Sequence, residues 1–101
     1  MFDKTIYISR GVNLLPKNLI STCLQLLEVA RSMTELDYLQ VFVVSSVKDP
    51  NSDNVMLHIK HFQEQPPYSY EVSIDCTQNV NEKLYMIDDG MHSTLLLASE
   101  Y

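Results

Sequence analysis

The chain has 101 residues, 46% of them hydrophobic and 20% charged, the composition of an ordinary globular domain with enough apolar material for one core. Its net charge is −6, and the 7 basic side chains (Lys4, Arg10, Lys17, Arg31, Lys48, Lys60 and Lys83) stand singly along it. Phosphate backbones and anionic lipid surfaces are held by clustered Lys and Arg, so neither nucleic-acid nor membrane binding is expected.

No repeat, low-complexity stretch or charge run divides the chain, which reads as a single domain over residues 1–101. The start, Met1-Phe2-Asp3-Lys4-Thr5, lacks the apolar stretch of a secretory signal. The longest unbroken apolar runs, Val41 to Val44 and Leu95 to Ala98, fall far short of a membrane span. Cys23 and Cys76 form neither a disulfide framework nor a Cys-x-x-Cys pair. The expectation is a cytoplasmic protein with reduced thiols.

Thr5 to Ser9 reads as a first strand, with Ile6 and Ile8 on one face and Tyr7 on the other. Gly11 is expected to mark the turn out of it. Pro16 is expected to begin a helix, since a proline at the first helical position loses no hydrogen bond. Leu19, Ile20, Cys23, Leu24, Leu27, Ala30 and Met33 recur at helical spacing as one apolar stripe. No glycine closes the helix, which predicts an irregular exit through Thr34 to Asp37. Tyr38 to Val47, rich in β-branched and aromatic residues, is the expected central strand. Its run Val41-Phe42-Val43-Val44 does not alternate with polar residues, which predicts cover on both faces.

Asp49 to Asn54 is a turn cluster. Val55 to Gln63 then alternates as a strand, with Val55, Leu57 and Ile59 opposed to His58 and Lys60. After the break at Pro66-Pro67, Tyr68 to Cys76 alternates again, with Tyr70, Val72, Ile74 and Cys76 on one face. Asn79-Val80-Asn81 is a turn, Leu84 to Asp88 a strand, Asp89-Gly90 a tight turn, and Thr94 to Ala98 a last strand for which a short helix competes. The order β-α-β-β-β-β-β gives an α+β fold, a single helix packed on a mostly antiparallel sheet of five to six strands. One helix covers one sheet face. Cover for the second face of Val41 to Val44 therefore requires either that the sheet curls into a partial barrel or that a second subunit makes a homodimer.

Two glycines are too few for a phosphate-cradling loop, so no nucleotide cofactor is expected. His58 and His61 are three apart on one strand and point to opposite faces, which prevents both from binding one ion. His92 beside Asp88 and Asp89 is a denser cluster, against which stands its reading as an ordinary polar turn. Ser93, His92 and Asp89 have the residue types of a hydrolytic triad, but neighbours in one turn do not aim at one another as a triad requires. Gln63-Glu64-Gln65-Pro66-Pro67-Tyr68 combines polar side chains, a rigid pair and an aromatic ring. It reads either as a recognition lip or as a stiff strand connection.

Asp37-Tyr38-Leu39-Gln40-Val41-Phe42, the Gln63 to Tyr68 segment and the ending Ile87-Asp88-Asp89-Gly90, His92-Ser93-Thr94, Leu96-Leu97-Ala98 and Glu100-Tyr101 together resemble a family of about hundred-residue Gram-positive bacterial proteins known as a domain of unknown function. The resemblance spans the whole chain and implies a bacterial cytoplasmic setting. It carries over no activity, cofactor or catalytic residue.

With no catalytic constellation and 6 tyrosines, a residue type enriched at interfaces, the sequence favours a protein-binding or adaptor domain without catalytic activity. Gln63, Glu64, Gln65, Tyr68, Asp88, Asp89 and His92 are its candidate rim, and the partner is another protein or a second copy. The alternative is a small-molecule or metal-binding domain with hydrolytic capacity, centred on the Asp88 to His92 turn. It requires His58 or His61 to approach that turn.

Overall fold

A computed structural model describes residues 1–48 and 50–101. Asp49, first in the turn cluster read from the sequence, lies outside the described residues. The elements are β1 (Ile6–Ile8), α1 (Arg10–Asn13), α2 (Lys17–Met33), β2 (Leu39–Lys48), β3 (Val55–Gln63), β4 (Tyr68–Cys76), β5 (Glu82–Asp88) and β6 (Ser93–Leu97), with a 3-10 turn at Ala98–Glu100. The strands lie in the order β1-β6-β5-β2-β3-β4, antiparallel throughout except where β1 runs parallel to β6. This is the expected α+β fold, one main helix on a mostly antiparallel sheet.

Several local features explain where the elements begin and end. Pro16 sits one position earlier than expected, as the extended cap of α2 at φ −54° and ψ 137°, and its carbonyl accepts from Leu19 and Ile20. Gly11 is not a turn. It lies inside α1, which Ser9 caps by accepting from Val12 N–H. A side chain there would meet Leu97 at 2.7 Å and Glu100 at 2.9 Å, so glycine is required by close approach rather than by conformation. The last segment stays extended to Leu97 and then tightens into the 3-10 turn, settling the competition between strand and helix in favour of the strand.

The core lies between α2 and one sheet face. Leu19, Cys23, Leu26, Leu27 and Ala30 are buried from the helix, and Phe42, Val44, Leu57, Ile59, Leu84, Met86 and Leu95 from the sheet. Leu26 joins the stripe unforeseen, and Met33, at its end, is exposed. Both cysteines are free and buried, and burial pushes the Cys23 thiol up to about 12.

Of the two alternatives, the curl does not occur: the sheet is open, with β1 and β4 as its edges. Its molecular envelope, 44 × 28 × 19 Å, has the thickness of one helix layer on one sheet. The doubly apolar run is reconciled within the sheet itself. Phe42 and Val44 face α2. Val41 faces the other way, between Phe62 of β3 and Tyr85 of β5. These large neighbours reduce Val41 to 6% exposure, while Val43, between Lys60 and Lys83, stays 37% exposed.

Phe42 is fully buried at the centre of the core. Phe42→Ala is expected to lower stability by about 3–5 kcal/mol, through lost burial and the cavity left behind. Urea unfolding followed by circular dichroism measures this directly.

Candidate functional site

The β3–β4 and β5–β6 connections emerge at the same end of the sheet, one on each side of the start of β2. Asp37 and Tyr38 link them. Asp37 Oδ2 accepts from Gln65 N–H at 3.2 Å, and the next residue, Tyr38, accepts from Asp88 N–H through its carbonyl at 3.0 Å. Candidate residues from both segments thus share one end of the molecule.

Gln63 is not a rim residue. It is 4% exposed and its amide group makes four hydrogen bonds. Its Oε1 accepts from Asp37 N–H and Gln40 Nε2, and its Nε2 donates to the Glu35 and Pro66 carbonyls. One amide therefore ties the helix exit to the turn at Glu64–Pro67, where the Gln65–Pro66 peptide is cis. Glu64 and Gln65 are exposed on that turn, and Tyr68 is half-buried.

Gln40 extends this network inward to His61. Gln40 Oε1 lies 2.7 Å from His61 Nε2. An amide oxygen only accepts, so Nε2 carries the proton of the neutral ring. The His61 ring stacks on Phe42 at 4.4 Å, and Tyr68 meets its edge at 5.9 Å. Burial pushes His61 down to about 4, with the Leu26 carbonyl partly opposing this. Burial also raises Tyr68, and the neighbouring Tyr70 adds to the effect.

At the other connection, both carboxylates are committed to the backbone. Asp88 accepts from Phe2 N–H at 2.8 Å and from Gly90 N–H at 2.7 Å, which hold its carboxyl below the usual range. Asp89 Oδ1 accepts from both His92 N–H and Met91 N–H at 2.9 Å, with the same consequence. Gly90 takes φ +93°, a conformation that favours glycine, and Lys4 donates to its carbonyl. His92 approaches Asp89 at 3.4 Å and sets its ring against Tyr7.

These residues do not gather into a catalytic or metal-binding arrangement. Ser93 is 1% exposed on the helix-facing side, and its hydroxyl makes no hydrogen bond among the described residues. His61 is enclosed by Gln40, Phe42 and Tyr68, whereas His58, on the open face, contacts Ser73 and Glu71. Among the described residues, no three His, Cys, Asp or Glu side chains converge as a metal site requires.

Sequence reasoning missed the residues that shape the open face. Phe62, Val41 and Tyr85 form one cross-strand row, and Lys60, Val43 and Lys83 form the next. Each lysine lies over its neighbouring ring, Lys60 at 5.8 Å from Phe62 and Lys83 at 5.6 Å from Tyr85. A cleft of about 410 Å³ runs along Lys60, Phe62, Gln63, Pro67, Tyr68 and Ser69, joining this face to the β3–β4 turn. The alternation in each strand was the available signal, but the rows become visible only once strand order is known.

The architecture defines the class: a small two-layer α+β domain with an open six-stranded sheet. It is similar to the crystal structure of a protein of unknown function from Enterococcus faecalis, with a TM-score of 0.70 over 98% of this chain and 92% of that one, at 24% identity. That likeness establishes the shared fold. The family described as staphylococcal protein of unknown function (DUF960) matches residues 5–100, and the chain belongs to it. No curated protein matches the chain. Among the described residues no helix is long and apolar enough to cross a membrane.

His61 gives a pH signature. Its folded-state pKa, about 4, lies below the ordinary 6.5, so between these values the unfolded chain binds a proton that the folded one refuses. Its contribution is fully present above pH 6.5 and is lost as pH falls toward 4, up to about 3 kcal/mol. Asp88 and Asp89 respond in the same direction but at lower pH, since their pKa values are depressed from 3.8. Urea midpoints measured from pH 7 to 4 are expected to fall for the wild type and to flatten for His61→Leu.

Proposed function

We propose that this domain is a non-enzymatic protein-binding module whose recognition surface is the open sheet face together with the cleft beside Tyr68. The observation that carries this reading is the pattern of that face: an apolar strip of Phe62, Val41 and Tyr85, continued by exposed Val43 between Lys60 and Lys83. The strip supplies area that water leaves favourably, and the aromatic rings supply rigid anchors. The two lysines supply charge selection in a protein that is otherwise acidic. The partner such a surface fits is a protein segment carrying apolar side chains and carboxylates.

Glu64 and Gln65, exposed on the adjoining turn, and Tyr68, lining the cleft, supply a polar and aromatic border. Gln63 acts indirectly, by fixing that turn. Asp88, Asp89 and His92 shape the neighbouring connection. The commitment of both carboxylates to backbone amides supports a scaffolding role for them over a catalytic one.

Val43 is exposed and contributes no helix-facing contact, so Val43→Glu is expected to leave the fold intact. It would set a carboxylate between the lysines and oppose an acidic partner. Capture of partner from lysate of the native host is expected to fall at least about tenfold, measured by quantitative mass spectrometry. Undiminished capture by a folded Val43→Glu variant would remove the open face from the reading. A loss confined to Tyr68→Ala and Glu64→Ala would move the site to the turn.

A further inference from the structure

The two edges of the sheet differ. β1 is three residues long, a short edge of the kind that resists pairing. β4, the other edge, has nine residues, Tyr68–Cys76, and contains neither proline nor lysine. Its register with β3 runs unbroken from Gln63↔Tyr68 to Val55↔Cys76, so no bulge twists it away. Of the usual devices that block strand addition, β4 lacks proline, lysine and a bulge; it carries two carboxylates, Glu71 and Asp75, and Asn18 of α2 donates to the Asp75 carbonyl at 2.9 Å. Beside it, between β4 and α2, lies a groove of about 280 Å³ lined by Thr22, Gln25, Leu26, Val29, Tyr70, Val72 and Ile74. The lining carries no charge. Tyr70 is 46% exposed and Val29 38%.

We infer that β4 is a homodimerisation edge, pairing antiparallel with β4 of a second copy about a two-fold axis at Val72 to give one continuous sheet. The sequence of the strand carries the choice of occupant. A two-fold axis perpendicular to the sheet keeps each face on its own side, so it must lie between one residue of the strand and the same residue of the second copy. Centred on Val72, it pairs the strand over its whole length. On the helix side, Tyr70 meets Ile74, Tyr68 meets Cys76, and Val72 meets itself. On the open side, Glu71 meets Ser73 and Asp75 meets Ser69. Every apolar residue faces an apolar or aromatic one, and every carboxylate faces a hydroxyl.

The competing registers fail this match. An axis at Glu71 sets that carboxylate against itself, and an axis at Ser73 sets Glu71 against Asp75; like charges directly opposed disfavour a pair. Axes at Tyr70 or Ile74 leave only residues 68–72 or 72–76 paired. The Val72 register also brings the two uncharged grooves together on one side of the joined sheet, covering Tyr70 and Val29. The pairing leaves the Val41–Val43 surface free. It shares Tyr68 and Ser69 with the cleft of the protein-binding proposal and stands independently of the open-face strip.

Ser73 provides the test, being exposed and directly opposite Glu71 of the second copy in this register. Sedimentation equilibrium at low salt, up to about 100 µM, is expected to show reversible dimers of the wild-type protein. Ser73→Glu places two carboxylate pairs across the axis and is expected to weaken the dimer by about tenfold. Ser73→Lys places two ion pairs there and is expected to tighten it. Both variants lose the Ser73 contact with His58, so a divergence between them reports the interface and not the fold. Circular dichroism confirms that both are folded. A wild-type protein and Ser73→Lys variant that both remain monomeric would overturn the inference, as would dimers that respond equally to the two substitutions. Monomers whose β4 amides become protected only against a strand of another protein would also overturn it.

Discussion

Everything in this fold follows from one helix having to cover a six-stranded sheet. The apolar stripe of α2 closes over Phe42, Ile59, Leu84 and their neighbours, and that contact is the core. One helix of this length cannot also cover the second face or both edges. The open face reduces its own exposure by laying Phe62 and Tyr85 beside Val41 and by drawing the lysine stems across those rings. What remains, a strip of apolar and aromatic side chains beside two lysines, is the surface proposed for recognition.

The polar residues that looked most like chemistry serve the chain path instead. Gln63 satisfies carbonyl and amide groups on two connections at once. Asp88 and Asp89 organise the β5–β6 turn and, through Phe2, attach the beginning of the chain. Glu100 does the same at the other end. It accepts from Ser9 Oγ and Leu97 N–H with one oxygen and from Gly11 N–H with the other, binding α1 to the 3-10 turn. A buried or turn-forming amide left without a partner is costly, which explains why such residues occupy these positions.

Much of this architecture was legible in the sequence because it rests on periodicity. The helix stripe, the alternation of β3 and β4, and the opposite faces of His58 and His61 all follow from spacing alone. The family was legible through the segments that carry the resemblance, Gln63 to Tyr68 and the ending through Glu100, and in this chain they fasten connections. Their roles were not legible, since a fastening contact joins residues distant in sequence, such as Gly11 and Glu100. The same limit hid the open-face rows, which assemble from β3, β2 and β5. It also made Val41 to Val44 look like a strand between two layers, when large neighbours in the same layer supply much of the second cover. Gln63 was misassigned to a rim because sequence cannot distinguish an amide that meets solvent from one that saturates four backbone and side-chain groups.

The central claim is that the open face, rather than the helix side, meets another protein. A photo-crosslinking residue placed at position 43, with a control at exposed Ser21 on α2, tests it most directly in cells of the native host. The account predicts a discrete adduct of defined mass from position 43 that is absent from position 21. No adduct from position 43, or the same adducts from both positions, would contradict it.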